Sequence, residues 1–301
     1  MNGVLILAGQ TASGKSALAV DLARAFGAEI VGADSRQIYR GMSVGTAAPT
    51  AEQRAVVPHH LIEFLDPNER YSAAQFCRDA VAAIDRIQAC GSRALVVGGT
   101  GFYVRALCGE TTLSAAHDPQ VRARLLREAQ IHPPQTLHDW LKAIDPDRAA
   151  TLEPGDRYRV MRALEIALVA RRNDTAPLEV PTLASRGIPY LKCYLEIDRS
   201  ELARRIECRV DAMLANGLLE EAARLGDRVV AADAVGYPQA LAYLRGWSTE
   251  PELRQALIRA TRRYAKRQAT WFRSERDLIR VPSEQGYLAV ASLARELPGW
   301  N

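Results

Sequence analysis

Short blocks of apolar residues alternate with helix-like segments along the first third of the chain. Residues 4–8 are apolar without interruption, and residues 30–33 and 94–97 form two similar blocks. Uninterrupted apolar runs of this length are typical of strands that are buried on both faces of a parallel sheet. Between them, residues 71–89 have the spacing of a helix. The alternation predicts an α/β fold in which helices flank a parallel sheet.

The pattern changes near residue 111. From there to residue 186, strand-like blocks are absent, and arginine-rich helical segments are interrupted by prolines. A strand pattern returns at residues 190–197, and helical spacing follows from about residue 200 to residue 273. We therefore predict an all-helical insertion domain at 111–186 between two parts of an α/β core, which are residues 1–110 and residues 187–301 with a basic helix in the second part.

Composition indicates an ordinary globular protein with ample core: 48% of the 301 residues are hydrophobic, 25% are charged, and the net charge is +4. This mild positive charge permits an anionic partner without requiring one. The five cysteines include no CxxC pair, which favours reduced thiols and a cytoplasmic location. Residues 4–8 are too few for a secretory signal, and no apolar run approaches the ~20 residues of a membrane span, so no membrane partner is expected.

Residues 9–16 fit the phosphate-binding template GxxxxGK[ST]. They are Gly9, Gln10, Thr11, Ala12, Ser13, Gly14, Lys15 and Ser16. The stretch lies between a predicted strand and a predicted helix, which is the context that the template requires. Backbone N–H groups of such a loop bind phosphate oxygens, the lysine adds a positive charge, and the serine hydroxyl can ligate Mg²⁺. We therefore predict a P-loop NTPase-like sheet, with Mg²⁺ as cofactor at Ser16.

The loop alone leaves open which phosphate it holds. A triphosphate hydrolase also uses an acidic residue on a neighbouring strand to hold Mg²⁺. The third predicted strand ends instead in the residues GGTG at 98–101, while Asp34 and Asp198 follow other strands. Both a nucleoside triphosphate and a diphosphate leaving group are compatible with this pattern.

Several further segments, taken in order, resemble one enzyme family. They are DSRQIYRGM at 34–42, GTAAP at 45–49, PHHLI at 58–62, YSAAQF at 71–76, VGGTGFY at 97–103, RVMRALE at 159–165, VGY at 235–237 and KRQATWFR at 266–273. With the phosphate loop they resemble the tRNA dimethylallyltransferase family, also called tRNA isopentenyltransferases, across about residues 3–273. The resemblance implies that a dimethylallyl group moves from dimethylallyl diphosphate to the exocyclic amine of the adenosine immediately 3′ of the anticodon in a tRNA. It also implies that the loop holds the donor's diphosphate.

This chemistry gives roles to residues that follow the predicted strands. Negative charge develops on the leaving diphosphate, and Lys15, the loop amides and Mg²⁺ near Ser16 would stabilise it. An adenine amine is a weak nucleophile because its lone pair is delocalised, and Asp34 is our candidate for the base that it needs. The alternatives for Asp34 are a Mg²⁺ ligand and a helix cap. By resemblance, Thr100 contacts the target nucleotide, with an ordinary turn threonine as the alternative.

Basic residues in three places are candidates for contact with phosphate. On the helix after residue 200, Arg205 or Arg209 is a candidate diphosphate ligand, and a solvated helix charge is the alternative. Residues 259–273 contain six basic residues and no carboxylate, which favours RNA contact over a solvated amphipathic face. The predicted insertion adds a second basic zone, made up of Arg122, Arg124, Arg127, Arg157, Arg159 and Arg162.

By resemblance, the tRNA contacts come from short segments spread along the chain. They are Asp34, Ser35, Arg36, Gln37, Thr100, Arg122, Tyr158, Arg159, Val160, Met161, Arg162, Ala234, Val235, Gly236, Tyr237, Pro238, Gln239, Lys266, Arg267, Gln268, Ala269, Thr270, Trp271, Phe272 and Arg273. The target base has to leave the stack of the anticodon loop to enter such a site. The chain departs from the family pattern at Gln10, Ala48 and Pro238, where the family usually has proline, lysine and a basic residue.

Other function classes remain open on the sequence. A nucleotide kinase would bind ATP at the same loop, and a related prenyltransferase would modify free adenosine phosphates. The arginine-rich insertion and the basic helix favour a large RNA acceptor, because a nucleotide needs neither. A non-enzymatic RNA-binding module would use the loop as a clamp, against which the combination of Lys15, Asp34 and Thr100 argues. We expect a cytoplasmic monomer whose partners are the tRNA anticodon stem-loop and dimethylallyl diphosphate.

Overall fold

The computed structural model of the chain describes residues 2–113, 118–171, 178–227 and 229–301. Within these residues, six strands form one sheet: β1 (Val4–Gly9), β2 (Ala28–Gly32), β3 (His59–His60), β4 (Arg93–Gly98), β5 (Tyr190–Glu196) and β6 (Leu278–Pro282). The spatial order is β3-β2-β4-β1-β5-β6, and all neighbouring strands are parallel. The predicted parallel α/β sheet is confirmed.

Helices account for most of the rest of the described chain. In order they are α1 (Lys15–Phe26), α2 (Ser43–Thr46), α3 (Ala51–Val56), α4 (Ala73–Ala89), α5 (Gly101–Cys108), α6 (Pro119–Ile131), α7 (Pro134–Ile144), α8 (Pro146–Ala150), α9 (Arg157–Ala170), α10 (Arg199–Ala215), α11 (Leu218–Leu225), α12 (Tyr237–Leu244), α13 (Glu250–Arg273) and α14 (Gly286–Ala294). Helix α1 buries Leu22 and Phe26, and it ends at Gly27, whose φ of 59° suits a residue without a side chain.

Strand β1 lies at the centre of the sheet, which explains its unbroken apolar sequence. It pairs with β4 on one side and with β5 on the other, and residues 4–8 are fully buried. The loops that follow β1, β2 and β4 therefore leave the sheet side by side at one edge. In parallel α/β sheets this carboxyl edge is where ligands bind.

Contacts divide the chain into two compact units. One comprises residues 1–111 and 180–301 and contains the sheet, and the other comprises residues 112–179. In the described part of the second unit, the regular elements are helices α6 to α9, which pack around Leu137, Leu141 and Val160.

The carboxyl-terminal segment contains elements that the sequence pattern did not indicate. Strand β6 forms an edge of the sheet and exposes Ile279 and Arg280, so it lacks the apolar run of a central strand. After α14, the buried Trp300 packs against Phe26 and donates from Nε1 to the Gly3 carbonyl at 2.8 Å. The two ends of the chain are thereby joined on one face of the sheet.

Two observations bear on the expectations from composition. All five cysteines are free, and Cys77, Cys108 and Cys193 are buried. Among the helices in the described ranges, none combines the length and the apolar character needed to cross a membrane.

Candidate active site

The phosphate loop leaves β1 at Gly9 and enters α1 at Lys15. Gly14 has a φ of 94°, in the left-handed region that favours glycine. The Ser13 side chain points inward: the residue is 1% exposed, and its hydroxyl has no hydrogen-bond partner within the described part of the chain. Because a buried hydroxyl without a partner costs free energy, an anion held in this loop would supply the acceptor that Ser13 lacks.

Lys15 is half-buried at the start of α1. Its Nζ donates to the Gln10 carbonyl at 3.2 Å. Burial lowers the pKa of Lys15 from its ordinary value of 10.5 to about 8, while the Asp34 carboxylate raises it and the Arg209 guanidinium lowers it. Lys15, Asp34 and Arg209 are thus electrostatic neighbours, although 175 positions separate Asp34 and Arg209 in the sequence.

Of two arginines on α10, Arg205 contacts the loop and Arg209 is an electrostatic neighbour of Lys15. Arg205 donates to the Ser13 carbonyl at 3.0 Å and to Glu201 at 2.7 Å, so both contacts lie within the protein. Arg209 donates to the Thr46 carbonyl at 3.3 Å, and its buried Nε has no partner within the described residues. Burial lowers the pKa of Arg209, and Asp34 opposes this effect. Of the two arginines, Arg209 has the unused donor beside Lys15.

Thr100 and Ser35 join the turns that follow β4 and β2. The Ser35 amide donates to Thr100 Oγ1 at 2.9 Å, and the Thr100 amide donates to the Ala33 carbonyl at 3.2 Å. Close approach of the two strands requires Gly98, because a Cβ there would lie 2.0 Å from the Ala33 oxygen. The structure therefore places Thr100 next to the segment that begins at Asp34.

Asp34 fixes its own turn with one carboxylate oxygen. Oδ1 accepts from the amides of Arg36 at 2.9 Å and Gln37 at 3.4 Å, so Asp34 stabilises a turn and does not cap a helix, since the next helix begins at Ser43. Oδ2 takes no part in these bonds and is the oxygen left for a substrate. Arg36 forms an ion pair at 2.9 Å with Asp233, and Gln37 donates to the carbonyls of residues 46 and 47.

Helix α13 ties the phosphate loop to the turn after β4. The Thr11 amide donates to Gln268 Oε1 at 2.8 Å, and Gln268 Nε2 donates to the Gly99 carbonyl at 3.0 Å. Gln10 Nε2 donates to the Ala265 carbonyl at 2.9 Å. We expected the Thr11 amide to be one of those that bind phosphate, but in the structure it is bonded to Gln268.

Mg²⁺ fits Ser16 only together with a phosphorylated ligand. Ser16 is exposed in the first turn of α1, and the described residues contain no group of three His, Cys, Asp or Glu side chains that could hold a metal. Mg²⁺ is commonly bound through one or two protein oxygens plus substrate phosphates and water, which matches a single hydroxyl beside an anion loop. The two neighbouring histidines have partners within the protein: His59 Nδ1 lies 2.7 Å from the Val57 carbonyl, and His60 pairs with Glu29 at 2.7 Å.

The basic helix places its predicted RNA-contacting residues on two faces. Arg259, Lys266, Arg267, Thr270 and Arg273 are exposed, Ala269 and Trp271 are half-buried, and Gln268 and Phe272 are buried. Two of the six cations have partners that the sequence did not reveal: Arg262 pairs with Glu207 of α10 at 2.7 Å, and Arg267 lies over the Tyr264 ring. The exposed residues remain candidates for phosphate contact.

Within residues 234–239, Tyr237 is held by a buried carboxylate that sequence reasoning missed. Glu221 is 3% exposed and accepts from the Tyr237 hydroxyl at 2.8 Å and from the amides of Val44 and Gly45 at 3.0 and 2.8 Å. Ala234 and Gly236 are also buried, Val235 and Gln239 are half-buried, and Pro238 is exposed. Nothing in the sequence around Glu221 distinguishes it from a surface acid of an amphipathic helix, so no pattern could have identified it.

In the second unit, Tyr158 and two arginines lie close together. Tyr158 is 66% exposed, and the Arg122 guanidinium lies 5.8 Å from the centre of its ring. Arg122 and Arg162 both pair with the buried Glu165, at 3.1 and 2.9 Å. Among the other predicted contacts, Arg159 is exposed, Met161 is half-buried and Val160 is fully buried.

Comparison with known proteins gives a consistent result. The family described as IPP transferase matches residues 37–275, and the family described as isopentenyl transferase matches residues 2–57. The chain is 45% identical over 91% of its length, and 90% of the relative's, to tRNA dimethylallyltransferase 1 of Citrifermentans bemidjiense. The chain belongs to the IPP transferase family. The family matches together span the phosphate loop, Asp34, Thr100 and the whole of α13.

Solved structures show the same fold. The full-length tRNA isopentenylpyrophosphate transferase from Bacillus halodurans superposes with a TM-score of 0.70 at 35% identity, covering 98% of this chain and 97% of that one. A eukaryotic dimethylallyltransferase acting on tRNA, 23% identical, superposes with a TM-score of 0.77 over 98% of this chain and 78% of its own. The family resemblance stated from the sequence motifs is confirmed.

Proposed function

We propose that this chain is a tRNA dimethylallyltransferase that transfers a dimethylallyl group to the exocyclic amine of the adenosine immediately 3′ of a tRNA anticodon, releasing diphosphate. The observation that carries the proposal is geometric: the phosphate loop with Lys15 follows β1, the turns of Asp34 and Thr100 follow β2 and β4, and all three lie together at the carboxyl edge of the sheet. An acid and a base at one site suit a reaction that needs a stabilised leaving group and a deprotonated nucleophile. Relatives and solved structures named for this activity support the assignment.

The leaving diphosphate is assigned to the loop side of the site. Lys15 Nζ, the Ser13 hydroxyl and Arg209 Nε are donors there, and the last two have no partner in the described structure. Donors that are already oriented stabilise charge as it develops, without reorganisation during the reaction. Bound at the Ser16 hydroxyl, Mg²⁺ would add positive charge against the diphosphate oxygens.

The acceptor amine is assigned to the side of Asp34 and Thr100. The C–O bond of the donor breaks with its electron pair going to the diphosphate, and the amine nitrogen forms the new C–N bond. The proton that the nitrogen loses goes to Asp34 Oδ2, since Oδ1 is occupied by two backbone amides. Thr100 Oγ1, held by the Ser35 amide, would orient the adenosine.

The tRNA partner is assigned to exposed basic and aromatic side chains. On α13 these are Lys266, Arg267 and Arg273, and in the second unit they include Tyr158 and Arg159. Aromatic and arginine surfaces hold unstacked RNA bases and backbone, which suits the anticodon stem-loop of a tRNA. We propose that the enzyme acts as a monomer and in the cytoplasm, where a tRNA substrate is present.

Incubation with radiolabelled dimethylallyl diphosphate and unmodified tRNA tests the proposal. We expect label in the tRNA at the adenosine next to the anticodon, with Lys15→Ala as the inactive control. Parallel reactions supply AMP as acceptor or labelled ATP as donor. Label in AMP alone would indicate a prenyltransferase of free nucleotides, and phosphate transfer from ATP would indicate a kinase. Either result without label in tRNA would contradict the proposal.

A further inference from the structure

We infer that Gln268 is a positioning residue that sets the distance between the donor loop and the acceptor turn. This role rests on the proposed function and goes beyond it, because the motif around Gln268 was otherwise attributed to RNA contact. Gln268 is 5% exposed, so its side chain has almost no surface for an RNA ligand. Both of its amide atoms are bonded inside the protein.

Its two hydrogen bonds run to the two halves of the site. Oε1 accepts from the Thr11 amide at 2.8 Å, and Thr11 belongs to the loop that ends in Lys15. Nε2 donates to the Gly99 carbonyl at 3.0 Å, and Gly99 directly precedes Thr100. A single planar amide group therefore connects the segment assigned to the diphosphate with the segment assigned to the adenosine.

Close contacts with glycines surround this amide on the acceptor side. A Cβ on Gly99 would lie 2.2 Å from Gln268 Nε2, so the glycine allows the side chain to reach the turn. One helical turn further along α13, Trp271 packs against Gly101, where a Cβ would lie 2.0 Å from the ring. Thr100 is thus flanked by two contacts with the same helix, one on each side.

Gln10 adds a second tie on the loop side. Its Nε2 donates to the Ala265 carbonyl at 2.9 Å, one turn before Gln268 on α13. Proline, which the family usually has at this position, has no side-chain donor for such a bond. In this chain α13 therefore holds the phosphate loop at two adjacent residues and the acceptor turn at two more.

The effect of losing this connection follows from what each half-site retains. Lys15, Ser13 and Arg209 would still bind diphosphate, and the exposed cations would still bind RNA. The relative placement of the reacting carbon and nitrogen would loosen, and a misplacement of about 1 Å can lower a rate by ~10²-fold. We therefore expect a lower kcat with little change in the KM of either substrate.

The test compares Gln268→Met with Gln255→Met. Methionine keeps the length and apolar packing of Gln268 but makes neither hydrogen bond, and Gln255 is an exposed glutamine on the same helix. For Gln268→Met we expect kcat, per folded molecule measured by circular dichroism, to fall by at least about tenfold. The KM for tRNA and for dimethylallyl diphosphate should stay within about threefold, and Gln255→Met should match wild type.

Three results would overturn the inference: an unchanged kcat, a raised KM for tRNA with kcat intact, or loss of folded protein with normal kcat in the remainder. If Gln268→Met does not fold, Gln268→Glu serves instead, because a carboxylate still accepts from Thr11 but cannot donate to Gly99; the same fall in kcat is expected. Absence of transfer by wild type would refute the proposed function itself, so the two failures are distinguishable.

Discussion

The Tyr237 hydroxyl donates to the Glu221 carboxylate at 2.8 Å, at a place where neither side chain reaches solvent. The same carboxylate accepts from the amides of Val44 and Gly45. A Cβ on Gly45 would lie 2.6 Å from the Tyr237 ring, so the segment after β2 is held tightly against α11 and α12. Tyr237 therefore shapes the site from inside the protein.

Tyr237→Phe tests that role. The change removes one of the donors to a buried carboxylate, and we expect a loss of stability of about 1–3 kcal/mol. The tRNA affinity of the folded protein should not change, because the ring is 1% exposed. Denaturant unfolding and gel-shift titration measure the two quantities, with the exposed Tyr287→Phe as control. Weakened tRNA binding at unchanged stability would show that the hydroxyl contacts RNA.

Replacing Lys15 should separate stability from activity. Its pKa of about 8 in the folded protein lies below its ordinary value of 10.5, so between these values the unfolded chain binds more protons and stability rises with pH. At pH 7 the buried charge lowers stability, and Lys15→Met should raise the stability of the ligand-free protein by roughly 1–3 kcal/mol. That gain should shrink as pH rises from about 8 toward 10.5.

Thermal unfolding at pH 7 and at about pH 9.5 measures this difference, with the exposed Lys142→Met as control. Lys15→Met and Lys15→Ala should both abolish prenyl transfer while tRNA affinity is retained, because RNA contact is assigned to other cations. A gain in stability that does not depend on pH would argue against a buried ammonium. Equal loss of tRNA affinity would argue against the division between donor and RNA sites.

Asp34→Asn should preserve the binding of both substrates and lower the single-turnover rate by ~10² or more. The amide oxygen can still accept from the amides of Arg36 and Gln37, so the turn should keep its shape. The variant lacks the carboxylate oxygen Oδ2, to which the proton of the amine is assigned. Rates from rapid-quench experiments at saturating substrate measure the effect. A rate close to that of wild type would remove Asp34 as the base and leave it as a cap of its turn.

Salt dependence tests the exposed face of α13. Each phosphate neutralised contributes about 0.7 to 0.9 to the slope of log K against log salt, where K is the tRNA association constant. A triple variant should therefore reduce the magnitude of that slope by about two. The variant replaces Arg259, Lys266 and Arg273, which are exposed. A control with the same charge change replaces the exposed Arg24, Arg78 and Arg86 on α1 and α4. Superimposable lines for wild type and the first variant would identify α13 as an ordinary solvated surface.

The order of elements around the phosphate loop could be predicted because local patterns determine it. The apolar run of β1 and the glycine and lysine of the loop each carry a local signal, as does the apolar face of α1. The partnership of Gln268 with Thr11 could not be predicted, since 257 positions separate the two residues and a glutamine on a helix gives no sign of burial. The same holds for Glu221 and for Arg209, whose significance comes from neighbours that only the fold brings near. The edge strand β6 escaped prediction because half-exposed strands lack a continuous apolar run.

The contacts of α13 with Gly99 and Gly101 also restrict how the sequence can vary. Alanine at Gly99 would place a methyl group 2.2 Å from the Gln268 amide nitrogen. Alanine at Gly101 would place one 2.0 Å from the Trp271 ring. A side chain at Gly99 would require the Gln268 amide to move, and one at Gly101 would require the Trp271 ring to move. Variation at these four positions should occur in pairs, with a smaller residue on the helix accompanying a larger one in the turn. We therefore expect substitutions in the turn after β4 to depend on substitutions near the end of α13, although 169 positions separate Gly99 from Gln268.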